Sequence, residues 1–350
     1  MSTKPDTRAI CGDSSMPDDA QARLSGRRTI VQAAAALGLF GSMTGASKAQ
    51  TAKSFANRPI RLISGATAGS ASDIIARSLA DKLQAEFGVP VIVENRVGAA
   101  GAVAVQAVLT SPPDGHAIFV YTAAHTVVPL ITKTSWDPIR DFSAVVPLGV
   151  VPNVLVVSPS KGWKNVRDLI DAAKAKPGAM NYASAGAGSA THMSAEKFKL
   201  ATGIDAVHVA FKGSPEAITE TIAGRIDYFF APLVSALPQI RSGKLQALAV
   251  GTSRRSSQLV DVPTLAEAGV SDAEYLFWIG MLVSSKTPRD LIVQLNQSTL
   301  KALDTQEVKE KLSSLGADPL PMSPEQFDAL IKDELTANAR IVKAAGIKTE

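Results

Sequence analysis

The chain has 350 residues, a formal charge of only +4 and a single cysteine, Cys11. So small an excess, with no Lys/Arg cluster interleaved with aromatics, argues against a nucleic-acid partner. Cys11 lies ahead of a candidate cleavage site, so the mature chain is expected to have neither disulfide nor thiol chemistry. With 46% hydrophobic residues, it can bury a large core, and two lobes of ordinary size are expected at this length.

The first residues read as an address. Gly26-Arg27-Arg28-Thr29-Ile30-Val31 matches a twin-arginine export core, residues 30–40 are mildly apolar, and Ser47-Lys48-Ala49 is a small-x-small cleavage site. This predicts a signal peptide over residues 1–49 and a periplasmic mature protein. Gly38, Gly41, Ser42 and Gly45 interrupt a run already short for a bilayer span. Six Lys/Arg and four Asp leave with the leader, which reduces the net charge to about +2.

Thereafter strand-like runs alternate with helical patterns, the signature of an α/β fold with mainly parallel sheet. Residues 60–64 predict a strand and 73–87 a helix, with Ile75, Leu79, Leu83 and Phe87 on one face and Gly88 at its end. A strand over 89–94, a small-residue helix over 100–110 and a strand over 117–121 follow. Later strands are expected over 154–157, 206–211, 227–230 and 245–250. Helices are expected over 289–303, 306–315 and 324–345, the last behind a Ser323 cap. Val154-Leu155-Val156-Val157-Ser158 ahead of Arg167-Asp168-Leu169-Ile170 is echoed by Gly280-Met281-Leu282-Val283-Ser284 ahead of Arg289-Asp290-Leu291-Ile292. Placing the crossings between lobes at this pair gives one lobe of residues 50–157 and 279–350, and a second of 158–278.

Two strand–turn–helix units carry the chemistry. Asn181-Tyr182-Ala183-Ser184-Ala185-Gly186-Ala187-Gly188-Ser189 runs from a strand into a turn of Gly, Ala and Ser, with a helix beginning near His192. Gly65-Ala66-Thr67-Ala68-Gly69-Ser70-Ala71-Ser72 repeats the plan ahead of Asp73. Such turns let backbone N–H groups approach a ligand, and the following helix adds partial positive charge. Small carboxylates are the expected ligands. Thr122 follows one strand, and Lys212 with Gly213 follows another, at the ends where clefts form in open α/β sheets. Asp73, Ser184 and Ser189 are equally readable as helix caps, and His192 as a packing residue. Gly186-Ala187-Gly188 lacks a third glycine, no GK[ST] follows either turn, and His116, His125, His192 and His208 are scattered, so nucleotide and metal sites are not expected. Gly65-Ala66-Thr67-Ala68-Gly69 has Thr where a nucleophile elbow needs Ser. A hydrolase or isomerase using Asp73 or His192 as base, and a sensor for a signalling protein, remain as alternatives.

These residues resemble the Bug family, periplasmic solute receptors of tripartite tricarboxylate transporters. The resemblance rests on Arg58-Pro59-Ile60-Arg61-Leu62, Val93-Glu94-Asn95-Arg96-Val97-Gly98-Ala99-Ala100-Gly101, Pro113-Asp114-Gly115, Asn181-Tyr182-Ala183-Ser184-Ala185-Gly186, Val207-His208-Val209-Ala210-Phe211-Lys212-Gly213 and Asp261-Val262-Pro263-Thr264-Leu265-Ala266-Glu267-Ala268-Gly269. It implies a type II periplasmic-binding-protein fold of two α/β lobes joined by a two-strand hinge. It also implies a monomer without cofactor that binds a small carboxylate and works with integral-membrane transporter subunits. The family pattern has Tyr where Phe211 stands and commonly Asp where Ala231 stands, and its first loop carries prolines and a second glycine that are absent here. A carboxylate with an apolar or aromatic body is therefore expected, with Thr67, Ala68, Gly69, Ser70, Ser72, Asp73, Thr122, Ser184, Ala185, Gly186, Ser189, His192, Phe211, Lys212, Gly213 and Ala231 around it.

Overall fold

The computed structural model describes residues 57–98 and 101–347. The twin-arginine core and cleavage site lie outside the described residues, as do Ala99 and Ala100. The chain opens with β1 (Ile60–Ser64), α1 (Ala71–Phe87), β2 (Val91–Asn95), α2 (Ala102–Leu109), β3 (Ala117–Thr122), the single turn α3 (Val128–Ile131) and β4 (Phe142–Val150). β1 is parallel to both β2 and β3. A strand from far along the chain, β10 (Trp278–Ser284), enters antiparallel between β3 and β4. The first sheet therefore reads β2-β1-β3-β10-β4.

The second sheet is built from β5 (Asn153–Val157), β6 (Met180–Ser184), β7 (Ala206–Ala210), β8 (Tyr228–Pro232) and β9 (Gln246–Val250), in the order β7-β6-β8-β5-β9. Its helices are α4 (Val166–Ala175), α5 (Ala190–Thr202), α6 (Ser214–Ile222) and α7 (Leu233–Arg241). Strand alternation divides its core. Leu155 and Val157 face one side, with Leu169 of α4 and Phe198 of α5. Val154 and Val156 face the other, with Ile218 of α6 and Leu237 of α7. Burial on both faces explains why β5 is apolar throughout rather than alternating. Beyond β10, α8 (Arg289–Asp304), α9 (Gln306–Ser314) and α10 (Pro324–Ala344) return to the first lobe. α10 starts at a full capping box, the Ser323 hydroxyl taking the Gln326 amide while the Gln326 side chain takes the Ser323 amide.

Three features differ from the sequence expectation. The first crossing was expected after Val157, but β5 pairs with β8 and β9. The chain changes lobe at Val151-Pro152, where the Val151 amide donates to the Phe277 carbonyl (2.9 Å) on the returning crossing. β4 has no counterpart among the expected strands. It lies at the edge of the sheet, where a proline is tolerated, and pairs with β10 through two register shifts, one beside Pro147 and Gly149. α1 also begins at Ala71 rather than Asp73, with Ser70 as its N-cap residue.

Candidate functional site

A cavity of about 430 Å³ lies between the lobes. Its walls come from the loops after β1, β2 and β3 of the first lobe and from the ends of β6, β7 and β8 of the second, the carboxyl-end position typical of α/β sheets. Three helices start at it, through Ser70-Ala71-Ser72 for α1, Ser189-Ala190-Thr191 for α5 and Gly213-Ser214 for α6. The first-turn amides of Ala71, Ser72, Ala190, Thr191 and Ser214 find no acceptor among the described residues. Unpaired amides with the helix-dipole charge behind them make an anion-binding surface. Among the described residues Lys212 is the only formally charged one on the lining. The lining also includes Val97, Tyr121, Val128, Phe211, Pro232 and Phe277, with the hydroxyl residues Thr122 and Thr132.

The loops are braced from behind. Asp73 accepts from the Gly69 amide (2.9 Å), Arg77 Nε (2.9 Å) and Asn95 Nδ2 (3.0 Å), and Asn95 Nδ2 also reaches the Ala66 carbonyl (3.0 Å). This carboxylate holds the first loop in shape and leaves the cavity wall to Ser70, Ala71 and Ser72. In the second lobe, Thr191 Oγ1 accepts from the Ala185 amide (2.9 Å), and Ser189 Oγ accepts from the His192 amide (3.3 Å). His192 Nδ1 accepts from the Gly188 amide (3.1 Å), and its ring stacks on His208 at 3.9 Å between centroids. Ser184 Oγ and His208 Nε2 share a 2.6 Å hydrogen bond. Burial, reinforced by neighbouring His208, lowers the His192 pKa to about 3; burial lowers that of His208 to about 4. Both rings are therefore neutral at ordinary pH, as the acceptor role of His192 Nδ1 requires.

The lobes meet at the cavity mouth. Ser235 Oγ of α7 donates to the Gly69 carbonyl at 3.1 Å. Gly213 sits so near the first loop that a Cβ there would lie 2.1 Å from Thr67 Oγ1 and 3.0 Å from Ser70 Oγ. Gly188 faces Ile131 and Val128, and Ala190, Met193 and Val234 of the second lobe join the first lobe's core.

Of the residues expected from sequence, Ser70, Ser72, Thr122, Ala185, Gly186, Ser189, Phe211, Lys212 and Gly213 line this cavity, whereas Thr67, Ala68, Gly69, Asp73, Ser184, His192 and Ala231 do not. Thr67 instead bonds Ser70 Oγ (3.0 Å), Asp73, Ser184 and His192 are used up in the braces, and Ala231 is buried in the core beneath α6 and α7. Tyr121, Val97, Gly101, Val128 and Phe277 were not singled out. Tyr121 and Gly101 each sat in a segment already noted, but an apolar side chain beside a loop carries no chemical signature. Phe277 arrives from the returning crossing, far along the chain. Among the described residues no group of three or more His, Cys, Asp or Glu side chains could hold a metal ion, and no helix is long and apolar enough to cross a membrane.

Residues 75–347 match the family model described as the tripartite tricarboxylate transporter family receptor, TctC. Protein BugT of Bordetella pertussis is 32% identical over 90% of this chain and 97% of its own. Among solved structures, an R. palustris protein with adipate superposes with a TM-score of 0.81 at 31% identity, covering 84% of this chain and 99% of that one. MatC from Rhodopseudomonas palustris with bound malate gives 0.77 at 27% identity, over 82% and 99%. The two-sheet architecture, the loops framing the cleft and these similarities agree: the chain belongs to the TctC family of tripartite tricarboxylate transporter receptors, two-lobed solute-binding proteins.

Proposed function

We propose that the chain captures a small carboxylate between its lobes in the periplasm and presents the closed form to the integral-membrane subunits of a tripartite tricarboxylate transporter. The observation that carries this reading is the convergence of three helix starts, with five unpaired amides, on one cavity bounded by both lobes. Hydrogen bonds to a charged group contribute about 1.5–3 kcal/mol each, so several neutral donors can offset the desolvation of one carboxylate. The relatives solved with adipate and malate support the ligand class. The receptor acts as a monomer, reaches the periplasm through its twin-arginine leader and does no chemistry on its ligand. In support of the last point, Asp73 and His192, the candidate bases, are held by internal partners away from the cavity.

A thermal-shift screen of mono-, di- and tricarboxylates tests the reading. A ligand at ~100 times its dissociation constant contributes ~2.7 kcal/mol, a readily visible shift. A complete absence of hits would contradict it. Replacing Arg27 and Arg28 by Lys is expected to stop export; unimpaired export would remove the leader assignment.

A further inference from the structure

The helix starts that face the cleft act at short range, because the partial charge of a helix end falls off within its first turn. A full charge reaches further, and Lys212 is the one that the described lining carries. Among the described residues its ammonium has no ion-pair partner. Glu216, one turn along α6, accepts from the Lys212 backbone amide (3.3 Å) instead. The cations behind the first loop are paired, Arg77 with Asp73 (2.9 Å) and Arg96 with Glu94 (3.0 Å). The backbone that carries Lys212 is fixed on both sides. The Phe211 amide donates to the Ser184 carbonyl (3.0 Å), and Gly213 lies against Thr67 and Ser70 of the first lobe. An exposed, unpaired cation therefore stands at the seam where the lobes meet over the cavity.

Resting on the carboxylate-receptor reading, we propose that Lys212 is the steering residue of the cleft, speeding the capture of anions in proportion to their charge. An ion pair at so exposed a position adds little to the bound state, since both partners keep their water. Its field acts before contact and raises the local concentration of anions at the mouth, which increases the association rate. In water, a unit charge about 10 Å away concentrates a monoanion about twofold and a dianion about fourfold. The cleft thereby prefers dianions over monoanions at the stage of entry, whatever the body of the ligand. Dissociation is left to the helix starts, which are unaffected by the lysine.

The test is stopped-flow tryptophan fluorescence of the purified protein with adipate and with monomethyl adipate, or with malate and its monomethyl ester where adipate gives no binding. Rates are read at about 0.01 M salt, where the Debye length is about 30 Å, and at about 1 M, where it is about 3 Å. At low salt Lys212→Gln is expected to slow association of the dianion about fourfold and of the monoanion about twofold. Lys212→Glu should square each loss, and Lys212→Arg should keep the wild-type rates. At high salt the four proteins should converge, with dissociation rates and melting temperatures unchanged throughout. Association in Lys212→Gln that matches wild type at low salt would overturn the inference and leave Lys212 an ordinary solvated charge. A loss that sits in the dissociation rate and persists at high salt would overturn it too, making Lys212 a direct contact of the bound ligand. Both results leave the receptor reading intact. If neither these acids nor any in the thermal-shift screen binds, the receptor reading falls and this inference with it.

Discussion

Gly213→Ala separates closure from folding. Gly213 has an extended backbone, φ 179° and ψ 173°, which alanine adopts without the strain of a left-handed position. Its new methyl would stand 2.1 Å from Thr67 Oγ1 and 3.0 Å from Ser70 Oγ, atoms of the opposite lobe. Overpacking of this kind costs roughly 1–3 kcal/mol. The cost falls only on the form in which the lobes touch, so it appears as a loss of affinity of about 5- to 150-fold while the melting temperature without ligand is unchanged. Thr67→Ala removes the struck oxygen together with its 3.0 Å hydrogen bond to Ser70. The double variant should then bind within about threefold of Thr67→Ala alone, a coupling of ~1 kcal/mol or more in a double-mutant cycle. Titration calorimetry of the four proteins with the tightest acid of the carboxylate panel reads both quantities. Wild-type affinity in Gly213→Ala, or additive losses in the double variant, would refute the contact as a feature of the bound state.

Three further outcomes follow from the same geometry. Asp73→Ala removes the acceptor of the Gly69 amide and of Arg77 Nε and one of the two acceptors of Asn95 Nδ2; it should destabilise the protein by about 1–3 kcal/mol in urea unfolding, whereas loss of ligand affinity with full stability would return Asp73 to the ligand. Burial pushes the Glu334 carboxyl up to about 7, only partly offset by hydrogen bonds from Trp278 and Thr126. A carboxyl raised in the folded state favours folding below its unfolded value near 4.5 and loses that contribution as pH rises through 7; Glu334→Gln should therefore flatten the fall in the urea midpoint between pH 5 and pH 8, and parallel wild-type and variant curves would contradict the assignment. A Cβ at Gly280 would lie 2.5 Å from the Phe327 ring, in the packed core between β10 and α10. Gly280→Ala should cost roughly 1–3 kcal/mol without changing ligand selectivity, and an unchanged melting temperature would show that this packing yields.

Much of the fold was legible because its signals are local. The face of Ile75, Leu79, Leu83 and Phe87, the Gly88 end and the Ser323 cap each act within a few residues, and all three are present in the structure. β4 was hidden because it is an edge strand whose one partner, β10, lies more than a hundred residues away. The echo between residues 154–161 and 280–286 marks real strands, but whether the crossing precedes or follows such a strand depends on its partners, and β5 finds its partners in the second sheet. At the site, the small-residue turns announced themselves through Gly, Ala and Ser. What those turns could not reveal is which polar groups point inward. Asp73 and His192 are the chemically conspicuous residues, and both serve as internal braces. The apolar wall of Tyr121, Val128 and Phe277 comes from three separate segments whose side chains look like ordinary core until the lobes are assembled.

The most direct test of the central claim, that a carboxylate is held by the converging starts of α1, α5 and α6, is calorimetric titration of the tightest-binding acid against its own methyl ester. The two share a body and differ in the charge offered to the amides of Ala71, Ser72, Ala190, Thr191 and Ser214. Replacing two or three charged hydrogen bonds with neutral ones is expected to weaken the ester by about 100-fold. An ester that binds as tightly as its acid would show that the helix starts do not hold the anion.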